Sequence, residues 1–166
     1  IRELSDITVD LLRQLRLQPA AAGAVAFPTL PATTPPLPLW QCACAGTREA
    51  FGKPIAKLGK NLEVISRARI EINAMRLAVL QAAKAMDVLG NKEARVYVSA
   101  VKAMVPEKVC LIIDQAMQMH GAAGMSQWFP LAGMYADMRH LRYADGPDEV
   151  HHMVVGRAEV QKHGLW

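Results

Sequence analysis

Proline placement constrains this chain more than any other feature of its sequence. Six of the ten prolines fall between Pro19 and Pro38, and none occurs from Gly59 to Gly90. Proline carries no backbone N–H and drives the preceding residue out of helix, so 19–38 reads as an extended, poorly ordered linker. Before it, Leu4, Ile7, Leu11, Leu12 and Leu15 recur at helical spacing and predict a short amphipathic helix over residues 3–17. A domain boundary is placed near residue 45, separating 1–44 from a helical domain over 45–166.

The proline-free stretch has a clear period. Leu62, Ile65, Ile72, Met75, Val79, Ala82, Met86 and Leu89 follow one another at helical steps and form one apolar stripe. Gly90-Asn91 is a natural helix end. A second long helix is predicted from about Lys92 to His120 through Val96, Val101, Val105, Val109, Ile112, Ile113, Ala116 and Met117, with a kink or break at Pro106. Gly121-Ala122-Ala123-Gly124 punctuates the chain. A helix opened by Pro130 then runs to about Tyr143, and a last one follows from Pro147 to about 162. Two long and two shorter helices joined by short loops describe an all-α bundle.

Composition agrees. Of 166 residues 52% are hydrophobic, enough for one core, and only three each of Phe, Trp and Tyr accompany nine Met. The three cysteines, Cys42, Cys44 and Cys110, give no disulfide framework and fit a reducing compartment. The formal charge is +4, but Lys and Arg are scattered among Asp and Glu, so no nucleic-acid partner is expected. No apolar run is long enough to span a membrane.

Taken singly, the polar residues have ordinary explanations. Asp145-Gly146-Pro147 is a turn in which Asp145 could cap the following helix. His120 fits a helix end, Phe51 a loop anchor, and Asp148 and Glu149 a first turn where carboxylates complement the helix dipole. Glu149 and His152 form a Glu-x-x-His step, but one step without a partner makes no metal site, and His151 and His152 are read as solvated.

In order along the chain, however, these segments resemble a known family. Arg48-Glu49-Ala50-Phe51-Gly52-Lys53-Pro54-Ile55, Gln118-Met119-His120-Gly121-Ala122-Ala123-Gly124, Pro130-Leu131 and Arg142-Tyr143-Ala144-Asp145-Gly146-Pro147-Asp148-Glu149-Val150-His151 are similar to blocks of the acyl-CoA dehydrogenase C-terminal domain. The last run is most like the branch called family members ten and eleven. Together the blocks span residues 45 to 162.

The resemblance implies a four-helix bundle that mediates homodimer or tetramer formation and contributes FAD contacts across a subunit interface. It implies that Arg48, Phe51, Gln118, Gly121, Ala122 and Glu149 contact the cofactor, and that Asp145 is the base. Asp145 stands where the family usually has Glu, one methylene longer, so its backbone must sit closer to the substrate. The implied reaction removes an α-proton from an acyl-CoA thioester while the β-hydrogen leaves as hydride to the flavin. The implied electron acceptor is an electron-transfer flavoprotein, and the implied setting is fatty acid β-oxidation in the mitochondrion, with the peroxisome as alternative. Ala122, Gly59 and Pro147-Asp148-Glu149 depart from the family pattern. The family's N-terminal and middle domains have no counterpart in residues 1–44, so this chain reads as an inactive fragment. A non-catalytic oligomerisation or interaction module is the alternative reading.

Overall fold

The computed structural model describes residues 44–165; the short helix and proline-rich segment expected over 1–43 lie outside the described residues. Residues 44–47 are helical, and a minimal antiparallel hairpin follows, β1 (Glu49–Ala50) paired with β2 (Lys53–Pro54) in the register Glu49 to Pro54 and Ala50 to Lys53. Phe51 and Gly52 make its turn with φ of 55° and 73°. Two successive positive φ values match the right-handed twist of the flanking strands. Ile55–Lys57 is a 3₁₀ turn leading into the bundle.

A helical run then extends over Gly59–His120 and is divided at Gly90, whose φ of 77° and ψ of 169° interrupt it. We call the segments α1 (59–89) and α2 (91–120). Glu71 on α1 and Lys108 on α2 are joined by a 2.9 Å ion pair and lie almost equally far from Gly90 in sequence, so the two helices fold back as an antiparallel pair. Their contact is apolar: Ile72, Met75, Val79 and Ala82 from α1 meet Val101, Val105, Val109, Ile113 and Ala116 from α2 in one buried cluster. The expected break at Pro106 is not there. Pro106 is buried, Gly90 supplies the non-helical dihedrals of the run, and packing around Val105 and Val109 holds α2 through the one hydrogen bond that proline removes.

The 3₁₀ turn Gly121–Met125 leads to α3 (Leu131–Leu141), which inserts Leu131, Met134 and Met138 into the same cluster. α4 (Asp148–Lys162) packs against the long run and completes an all-α bundle, as the sequence predicts. Its apolar content is low, and the residues it buries are polar, Asp148 and His151. That contrast points to the α3–α4 turn as a place where packing serves something besides the core.

Candidate functional site

The expected site residues separate into two groups. In the first, Cys44, Ala45, Ile55 and Met119 form a small apolar cluster where the hairpin meets the C-terminal end of α2. This places Arg48 beside the helix exit, where its Nη1 donates to the Met119 carbonyl at 2.8 Å. Cys44 Sγ also donates to Met119 O, at 3.3 Å, so two side chains satisfy a carbonyl at the end of α2. Arg48 and Gln118 both line a hollow of about 380 Å³, with Ile55, Asn61 and Met119 among the other walls.

Gly121 closes that corner. Its φ of 63° and ψ of −146° belong to a region that L side chains rarely enter, and a Cβ there would lie 3.3 Å from Arg48 Nη1. The glycine therefore permits both the sharp exit and the close approach of the guanidinium. Ala122 follows, exposed on the 3₁₀ turn. His120 has the bland role read from sequence: it is buried, its Nδ1 bonds the Ala116 carbonyl at 2.8 Å, and its ring meets Phe129 edge-on. Phe51 corrects the sequence reading. Placed at the tip of the hairpin turn, it is 91% exposed and anchors nothing among the described residues.

The second group surrounds the α3–α4 turn. Asp145 is exposed and has a φ of 56°, followed by Gly146 at 113°. Asp145 does not cap α4, because the cap position is Pro147 and no side chain bonds the first amides. Asp148, in the first turn, is buried and pairs with Arg142 Nε. Glu149 and His152 are exposed, whereas His151, read as solvated, is 6% exposed. It faces inward because its Nε2 donates to the Asp145 carbonyl at 3.3 Å. Burial holds the His151 imidazole below its usual range, the Lys102 charge adds to this, and its bond to Asp145 with the nearby carboxylates opposes it.

Lys102 is the functional candidate that the sequence reading missed. It is 2% exposed, and its Nζ donates to the Gly146 carbonyl at 3.2 Å. Burial pushes its ammonium below the usual lysine range, against the attraction of Asp148 and Asp145. A signal was present, since Lys102 shares a helical face with Val98, Val105 and Val109, all buried. Among the described residues no three His, Cys, Asp or Glu side chains gather as a metal site, and no helix is long and apolar enough to cross a membrane.

The structure does not bring the two groups together. Lys102, under the Asp145 turn, and Met119, under Arg48, lie on the same helix, and at 1.5 Å per residue the two sites stand roughly 25 Å apart along it.

Comparison with known proteins bears on the fold. Residues 41–160 match the family model described as acyl-CoA dehydrogenase, C-terminal domain. The chain is 47% identical over 115 residues to acyl-CoA dehydrogenase family member 10 of Mus musculus, covering 69% of this chain and 11% of that protein. It is 46% identical over 120 residues to family member 11 of Rattus norvegicus, covering 72% of this chain and 15% of that protein. It thus spans only a small part of the curated relatives it matches. Among solved structures, a Mycobacterium abscessus protein assigned to the acyl-CoA dehydrogenases superposes with a TM-score of 0.75 at 46% identity, over 76% of this chain and 31% of that one. With the family model matched over most of its length and a bundle of the same shape, this chain belongs to the acyl-CoA dehydrogenase family, of which it carries the C-terminal domain.

Proposed function

We propose that this chain supplies the C-terminal helical domain of an FAD-dependent acyl-CoA dehydrogenase, which introduces an α,β double bond into acyl-CoA thioesters. The observation that carries the reading is the corner built by Arg48, Gln118 and Gly121. It pairs a guanidinium of five N–H donors, one used on Met119, with a glycine whose missing Cβ leaves that guanidinium room. Such a corner fits an anionic diphosphate. When bound, FAD would supply the hydride acceptor. Arg48 neutralises phosphate charge, Gln118 offers amide donors, Gly121 and Ala122 present backbone at the exposed turn, and Glu149 and Phe51 add outer contacts. Asp145, exposed on its left-handed turn, accepts the α-proton.

The separation of roughly 25 Å between the two groups favours a homodimer or tetramer in which the Arg48 corner serves a cofactor held largely by a neighbouring subunit. An electron-transfer flavoprotein is the proposed acceptor and the mitochondrion the proposed site, with the peroxisome as alternative. The remainder of the active site comes from chain segments other than these residues, so the 166-residue chain alone is expected to purify without flavin. In a complete enzyme carrying this domain, Asp145→Asn should lower turnover by about 10²- to 10⁴-fold while FAD is retained. Unchanged turnover would remove Asp145 from the mechanism.

A second reading, a non-catalytic oligomerisation module, is favoured by Leu62, Ile70, Leu77, Leu80 and Val88, which leave much of α1 apolar and exposed. Stable co-purification with an intact family member, without gain of flavin or turnover, would establish it over the first.

A further inference from the structure

A lysine 2% exposed in an apolar bundle is expensive, because its ammonium loses hydration that one carbonyl and two neighbouring carboxylates only partly replace. Its placement is specific. The turn above it has two successive residues at positive φ, Asp145 and Gly146. Asp145, with a side chain, enters this region at a small cost, and surrounding contacts fix which turn it makes. Those contacts are visible: the Asp145 carbonyl is held at 3.3 Å by His151 Nε2 from α4, and the next carbonyl, Gly146, at 3.2 Å by Lys102 Nζ from α2. Consecutive peptide groups are thus gripped from below by two helices, while the Asp145 side chain stays on the exposed side.

We propose that Lys102 and His151 are positioning residues that clamp the left-handed Asp145–Gly146 turn and so fix where the Asp145 carboxylate stands. The proposal rests on the reading of Asp145 as base for its functional meaning, but the clamp itself is a property of this chain. His151 suits the task as a neutral imidazole. Its Nε2–H donates to the turn, and its buried Nδ1 has no partner among the described residues, where a second proton would be an unsatisfied buried donor. Lys102 is more than a core filler, since an apolar residue of similar length would fill the space without the burial of charge.

The test uses the full 166-residue chain, by amide hydrogen exchange and NMR. Lys102→Met should speed exchange of the hydrogen-bonded amides of Gly146 and Val150 at least tenfold relative to α1, with the melting temperature unchanged or raised. It should also move the His151 titration upward, because a neighbouring positive charge is gone. Lys102→Arg should restore most of the protection. Equal protection in Lys102→Met and the unsubstituted chain would overturn the clamp, and so would uniform loss along the whole chain, the mark of a merely structural lysine. If Lys102→Met does not fold, the unsubstituted chain still decides. A protected Lys102 ammonium resonance with a contact to Gly146 supports the clamp, and a freely exchanging one overturns it. Failure of Asp145 as base would appear separately, as unchanged turnover of Asp145→Asn in a complete enzyme with the turn still protected.

Discussion

Substituting Gly121 by alanine probes the Arg48 corner most directly, and its effect can be worked out in two parts. The first is local: φ of 63° with ψ of −146° is nearly closed to alanine, and holding it there costs about 1–3 kcal/mol. The second is the contact of the new Cβ with Arg48 Nη1 at 3.3 Å. Arg48 is exposed and its side chain flexible, so a shift of a few tenths of an ångström relieves the clash and weakens its bond to Met119 O, a further cost of up to about 1 kcal/mol. The sum, about 1–4 kcal/mol, corresponds in a chain of this size to a drop in Tm of roughly 2–16 °C. Thermal unfolding followed by circular dichroism measures the total. A cycle with Arg48→Ala separates the parts, because the backbone cost survives removal of the guanidinium and the contact cost does not. A melting temperature within a degree of the parent would refute the argument that Gly121 is required by its backbone. A coupling energy indistinguishable from zero would refute the claim that the glycine makes room for Arg48.

Two further predictions concern the bundle. Met75, 1% exposed between α1 and α2, should cost about 2–5 kcal/mol when cut to alanine, read as a lower urea midpoint at unchanged slope. For pH, burial depresses the His151 imidazole in the folded chain below its ordinary 6.5, so the unfolded chain binds the proton more readily. Stability is therefore full above 6.5 and is lost as pH falls through that value toward the folded one. Urea midpoints at pH 7.5 and 5.5 should show the decline, and His151→Phe should flatten it over that interval; an unchanged decline would assign it to other groups.

Periodicity located the helices because helix formation and burial write the same spacing into a sequence. Ile72, Met75, Val79 and Ala82 follow the α1 stripe and are buried, and Gly90 divides the run where its position suggested. The stripe's ends behave otherwise. Leu62 and Leu89 are 55% and 50% exposed, because a stripe states which face is apolar and not how far the partner elements reach. Pro106 does not break α2 for a related reason: a local rule about one lost hydrogen bond was outweighed by side-chain packing along the helix. The identities of Arg48, Gln118, Gly121 and Asp145 were legible only as ordered family blocks, since their spacing carries no chemistry by itself. Lys102 was overlooked and His151 read as solvated because their partners are main-chain carbonyls, Gly146 and Asp145, which no sequence pattern displays.

The uninterrupted course of α2 between Lys102 and Met119 makes it a ruler with the two sites at its marks. Substitutions along its outer face leave that ruler unaltered. A single inserted residue would not, since it moves everything beyond it by 1.5 Å and turns it by about 100°, carrying the hollow around the helix and out of register with the turn. The chain should accordingly accept length changes in the connection between Met125 and Leu131 and reject them within α2. Tolerance to insertion, scanned residue by residue, would trace the ruler's extent without any knowledge of what either site binds.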